Sequence, residues 1–373
     1  MALLFYGVRK WFLFINELKH IMRTLGTIYD PVFEKKQKHS FIHRFFLNFI
    51  NDERDLPFAS LTLAITLTIL PLAVVLYIPG IPGWVWWTAA LLYLYLNNLY
   101  FKGPFGLMLH CTSHRIFFKK QYNWMNYYLP WILAPFFGHS PETYFVHHIG
   151  MHHTENNMEE DRSSTMKYQR DSFRSFMSYY WRFLYRGALD VYQYFGHKKR
   201  HAFKRRLVIG EGSFFIFVIV LSVINFQATL VAFIIPFFIF RFLTMMGNWT
   251  QHSFIDPEEP DNFYKNSINC INIKYNKRCW NDGYHTSHHV RPNLHWTQHP
   301  ESFRDNTTEY ARNKAIVFDG LDFLQVFYYL MNKRYQKLAS HVINLDGAFT
   351  SEAEIMETLQ RRTQAIAPAP MAN

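Results

Sequence analysis

The stretch "YFVHHIGMHH", residues 144 to 153, places His147, His148, His152 and His153 within seven positions of a chain that has 19 histidines in 373 residues. Imidazole is the commonest neutral metal ligand, so histidines clustered at helical spacing are candidates for a metal site. Other segments repeat the pattern. His110 and His114 in "HCTSH" lie at i and i+4, which puts both on one helix face about 6 Å apart. His285, His288 and His289 in "YHTSHH" fall within little more than one helical turn, and "NWTQH" adds Asn248 and His252, again at i and i+4.

The second cluster carries its own helix signal. Ser140-Pro141-Glu142 predicts a start with Ser at the cap, Pro in the first turn and an acid near the positive end of the dipole. On that helix His148 and His152 share a face, His153 sits about 100° to the side, and His147 points away. Such a helix offers imidazoles to two adjacent metals. One tetrahedral zinc cannot use so many nitrogens, so two metals are implied, and imidazole suits iron, zinc and copper alike. Carboxylates are not the main ligands, because the only ExxH pair is Glu17 and His20, in the N-terminal arm. Glu142, Asp161 and Asp282 are candidates for orienting ligand rings, although Asp161 in "NMEEDRSS" reads as an ordinary solvated residue. Cys111, Cys270 and Cys279 form no CxxC pair, which argues against a disulfide framework or a thiolate zinc site and fits a reducing compartment.

Such clusters need helices that deliver them to one place. A 49% hydrophobic content with 37 Phe, 23 Tyr and 10 Trp is a membrane-like aromatic load. Its distribution is segregated: Pro57 to Phe101 holds no Lys, Arg, Asp or Glu, and Leu207 to Phe240 only Glu211. These runs predict four spans, 58–78, 83–102, 207–226 and 228–246, arranged as two helical hairpins. The first hairpin turns at Pro79-Gly80. His110 and His114 follow the second span, with a kink expected at Gly103-Pro104, and Asn248 and His252 follow the fourth.

Both hairpin turns, "PGIPG" and "NFQA", lack Lys and Arg, so they are expected to face out, with both termini and the histidines in the cytoplasm. The fold class expected is therefore an all-α integral membrane protein, four transmembrane helices with a cytoplasmic helical cap that carries the histidines. The net charge of +11 suits anionic headgroups, and no nucleic-acid-binding module is visible. The chain divides into an amphipathic N-terminal arm (1–57), a membrane metal domain (58–312) and a C-terminal cytoplasmic segment (313–373) with a disordered Ala/Pro-rich tail, "TQAIAPAPMAN". Segment 173–196 reads as a second surface helix, and "LPWILAPFFG" as interfacial or re-entrant.

With HxxxH at His110 and His114, HxxxHH at His148, His152 and His153, and HxxHH at His285, His288 and His289, the chain resembles the membrane fatty acid desaturase superfamily over roughly residues 58 to 300. The resemblance implies two non-haem iron ions on the cytosolic side, with dioxygen as co-substrate, acting on an unactivated methylene of an acyl-lipid or acyl-thioester. Asn248 and His252 look like the family's additional polar pair, the His binding iron directly and the Asn through a water. His147 has no counterpart there. No fused electron-transfer module is visible, so a separate ferredoxin, rubredoxin or b-type cytochrome is expected. The membrane is a bacterial inner membrane or an endoplasmic reticulum. Membrane alkane and lipid hydroxylases share the same histidine pattern; four spans favour a desaturase, while "ENNMEEDRSS" echoes an acidic stretch of the hydroxylases. A metal transporter or metal-binding scaffold is the remaining alternative, but transporters place ligands at broken helices near the bilayer midplane, and these histidines follow the spans.

Overall fold

The computed structural model describes residues 22–35 and 37–367 and is mostly helical. The predicted N-terminal amphipathic helix and the last residues of the tail lie outside the described residues.

Helix α1 spans Leu56–Leu76 with Pro57 in its first turn, where a missing N–H costs no bond. The chain reverses through Gly80, whose φ of +74° is costly for any residue with a Cβ. It then enters α2 (Gly83–Tyr95), a π-helical segment Leu96–Phe101 and α3 (Lys102–His114), one uninterrupted helical run. Pro104 cannot donate to the carbonyl four residues back, at Tyr100; Arg278 Nη2 donates to that oxygen instead, at 2.7 Å. The proline thus becomes an attachment point for the loop that leads to the third histidine cluster.

Three helical segments of the described residues are long and apolar enough to cross a membrane: Glu53–Leu76, His201–Ile224 and Phe226–Gln251. The fourth expected span, 83–102, is helical throughout but is not among them, because Trp, Tyr, Asn97 and Asn98 lower its hydropathy. Asn97 is fully buried and donates to the Phe136 carbonyl at 2.9 Å, docking the segment built from the helical turns Tyr128–Leu133 and Ala134–Phe137.

Past that segment come α4 (Thr143–His147), α5 (Phe173–His197), α6 (His201–Ile224) and α7 (Ile235–Gln251). Helix α5 buries Phe176, Tyr179 and Phe195 while Trp181, Tyr185 and Tyr192 stay exposed, as suits an element lying on a surface. Strand β1 (Asn269–Ile271) pairs in parallel with β2 (Val317–Asp319), which stitches the C-terminal segment to the chain just before α8 (His285–Val290). Helices α9 (Phe323–Met331) and α10 (Glu352–Arg361) complete that layer around Phe254, Ile268 and Phe318. The start of the tail is not free: buried Arg170 donates to the carbonyls of Arg362 and Gln364, and Ile366 N–H to Met166. A buried guanidinium must find acceptors, and this backbone supplies them.

Candidate metal centre

Nine histidines, those of the three clusters other than His147 together with His252, converge and divide in two. His110, His114, His148, His153 and His288 form a group of five, and His152, His252, His285 and His289 a group of four; within each, one ring nitrogen per residue lies within 4.8 Å of all the others. In the five, Nε2 of His288 is 2.9 Å from that of His110 and 2.8 Å from that of His153, and His148 lies 3.1 Å from both His114 and His153. In the four, His285 Nε2 is 3.1 Å from His252 and 3.0 Å from His289. Two nitrogens each about 2.1 Å from one metal and at a right angle are about 3 Å apart, so these separations fit shared ligation. The groups are neighbours, with the His153 and His289 rings 5.0 Å apart.

The split corrects the spacing argument for the second cluster. His148 and His152 do not serve one site; His148 joins His153, and His152 goes to the other group. The reason is local: His148–His152 is π-helical, and i to i+5 hydrogen bonding brings residues five apart onto one face. The helix start also differs. It begins at Thr143, with Glu142 as the cap residue at φ +64° and no side-chain cap bond. Gly210 of α6 presses on the Pro141 backbone where any Cβ would collide, which sets the path of this turn. Glu142 accepts from Trp131 Nε1 at 2.8 Å and Arg206 Nε at 2.8 Å, so it braces α6 and orients no ligand ring.

Asp161 is not a solvated residue. It is 2% exposed and receives His152 Nδ1–H at 2.7 Å, while its other oxygen accepts from Ser163 N–H at 2.8 Å and its hydroxyl at 2.6 Å. Burial by itself would raise this carboxyl, but the His152 ring and the bond from it hold it below the usual carboxylate range. The bond leaves His152 Nε2 with its lone pair toward the other rings. His252 is fixed the same way, Nδ1–H donating to the Asn266 carbonyl at 2.9 Å. Asp282 stands 3.6 Å from His110 Nδ1 and also accepts from Tyr275 and Gln251, a looser tie. The only hint of Asp161 in the sequence is the D-x-S pattern, which reads as a turn; Asn266 and His299, the latter bonded to Ser287 Oγ at 2.9 Å, gave none.

Burial, with neighbouring His152, drives His252 down to about 4, and burial with His110 drives His114 to about 2. These rings are therefore neutral at pH 7, the form that binds a metal. The donors are all imidazole nitrogens, a set that accepts iron as well as zinc or copper. Asn248 belongs to neither group; its amide donates to Ser163 O at 3.0 Å and Tyr179 OH at 2.7 Å, and it lines a cavity beside the rings. His147 also stays outside both groups, its Nε2 buried with no hydrogen-bond partner among the described residues and its ring 6.4 Å from that of His152.

A cavity of about 460 Å³ ends at these rings, bordered by His110 and His148 of the five and His152 and His285 of the four. It runs between α3 and α7 past Gly103, Gly106 and Gly247 to Leu99, Leu243 and Leu324.

An apolar helical bundle with two histidine groups at the end of a largely hydrophobic cavity suggests a membrane protein whose histidine groups could each hold a metal ion. Residues 84–320 match the family model described as fatty acid desaturase, and the chain belongs to that family. No curated protein and no solved structure matches it.

Proposed function

We propose that the chain is a membrane di-iron oxidoreductase that introduces a double bond into a lipid acyl chain with dioxygen and two external electrons. The observation that carries this reading is the division of nine buried histidines into a five and a four around the closed end of one cavity. His110, His114, His148, His153 and His288 would hold one iron and His152, His252, His285 and His289 the other; bound iron supplies the oxidising power that an unactivated methylene requires. Asn248 would reach the centre through a water.

The protein's own part is positioning and exclusion of solvent. Leu99 is 73% exposed and Leu324 59%, so the cavity opens sideways onto the surface that α2, α3 and α7 would present to lipid. Glycines at 103, 106 and 247 leave room along two helices for a slender chain, and the apolar wall keeps water from the reacting carbon. We place the 83–102 run as a fourth span, its hairpin partner being α1, and the histidines on the cytoplasmic side. There a basic surface would receive an acidic one-electron carrier.

The test is mass spectrometry of total lipids from a host that expresses the chain beside one that expresses His285→Ala. Products lighter by two hydrogens, absent from the variant, establish a desaturase. Products heavier by one oxygen move the protein to the hydroxylases. Purified protein that holds zinc without iron and shows no oxygen-dependent turnover would overturn the oxidative reading.

A further inference from the structure

We propose that the buried pair Asp55 and His295 is the proton inlet of the histidine centre, joining the Asp52 surface to the group of five through a water-sized chamber. The inference rests on the oxidative reading above. In that reaction two acyl C–H bonds break and a C=C bond forms. One dioxygen, the two hydrogens removed, two electrons from the external carrier and two protons from solvent become two waters. Both protons must reach a buried centre, and an acyl chain seated in the large cavity would displace the water that could carry them along it.

A separate chamber of about 30 Å³ lies beside His110, His114 and His288, enough for one or two waters; its wall is mostly apolar, and Asp55, Asp282, His295 and Arg115 are among the polar groups that would hold them. Among those walls are Asp55 and His295, 6% and 1% exposed, with His295 Nε2 3.0 Å from Asp55 Oδ1. His295 Nδ1 accepts from the Thr297 hydroxyl at 2.8 Å and its N–H at 3.3 Å. Those bonds put the ring proton on Nε2, facing the carboxylate. Asp52 offers an oxygen within 4.8 Å of both partners and accepts from Arg115 Nη2 at 3.1 Å, with its side chain 18% exposed, so the chain of titratable groups ends at solvent. Asp52 is spent on Arg54 and Arg115, which leaves no carboxylate pair for a cation. The other groups that face the pair are Cys111, Cys279, Asp282 and His299.

A purely structural staple, pinning the loop after α8 to the start of α1, would need the hydrogen bond but not a ring that can take a second proton. His295→Gln separates the two, because its amide still donates toward Asp55 yet cannot be protonated. In zinc-loaded protein shifted from about pH 7 to about pH 5, zinc release is expected to slow about tenfold in the variant, since the site's rings must be protonated to let go. In the iron enzyme, turnover falls about 100-fold and the solvent deuterium isotope effect grows, at unchanged iron content and melting temperature. Wild-type zinc release and turnover in His295→Gln would overturn the route. Should that variant fail to fold, Thr297→Val removes only the hydroxyl that fixes the ring's tautomer; a smaller slowing in both readouts supports the route, and wild-type behaviour overturns it. Slowed zinc release in a chain whose wild type makes no oxygen-dependent product would sink the reaction reading and leave the proton route standing.

Discussion

The two histidine groups are assembled differently. Two of the group of four are tied from outside, His152 to Asp161 at 2.7 Å and His252 to Asn266 at 2.9 Å, each bond fixing a ring before any metal arrives. The group of five has one loose outer tie, His110 to Asp282 at 3.6 Å, and relies on the number of rings that three helical segments bring together. It also borders both the large cavity and the small chamber. Two rings of the group of four are oriented by bonds from behind while Nδ1 of His285 and of His289 finds no partner among the described residues, and the group of five keeps a face toward both cavities.

The sharpest way to break this comparison is to remove one ligand from each group. His285→Ala or His152→Ala leaves three nitrogens of four; turnover is expected to fall at least 1,000-fold, about the scale of removing an essential catalytic group, and bound iron from two per chain to one, with membrane insertion intact. His114→Ala leaves four of five and should keep more of its iron. Elemental analysis beside product yield checks both, and equal iron loss would erase the distinction. Next in size, Asp161→Asn should weaken metal binding about 10- to 100-fold, as loss of a carboxylate behind a ligand imidazole does, and Asp282→Asn clearly less. Competition with a chelator reads the difference; a larger effect at Asp282 would reverse the ranking of the two groups.

Acid should sharpen the contrast in metal-free protein. His252 and His147 sit near 4 in the fold, chiefly through burial, against 6.5 when unfolded. Below pH 6.5 the unfolded chain takes up protons that the folded one refuses, so stability is full above 6.5 and drains away as pH falls toward 4. For His114, near 2, the loss continues further down. Melting temperatures in detergent across that window check the slope, and a flat profile would contradict it. The smallest effect is expected at His147→Ala, which touches neither group; turnover reduced as severely as in His152→Ala would mean that the ring at 147 is a ligand after all.

Much of this was legible in the chain. The three clusters, the pair at 248 and 252, the apolar runs and the polar exits after them follow from residue type and spacing, because helical periodicity fixes which positions can meet. All nine histidines expected to bind metal do converge. The 83–102 run is helical as expected but falls short of the length-and-apolarity mark of a span, because Trp, Tyr and the Asn residues, one of which docks segment 128–137, dilute its apolar side chains.

What spacing alone could not decide was the sorting of ligands between metals. On an α-helix His148 and His153 would point about 140° apart; the π turn there, held between α3, α6 and α8, brings them together and leaves His152 to the other group. Nor does a one-dimensional pattern distinguish a solvated acid from Asp161, because the burial that makes its bond to His152 matter comes from segments far away in sequence. The sequence by itself determined which atoms are available to bind metal and on which elements they ride. The tertiary structure decided how they are divided, which carboxylates and carbonyls stand behind them, and which spaces reach them, since burial and backbone hydrogen bonding are properties of the packed chain.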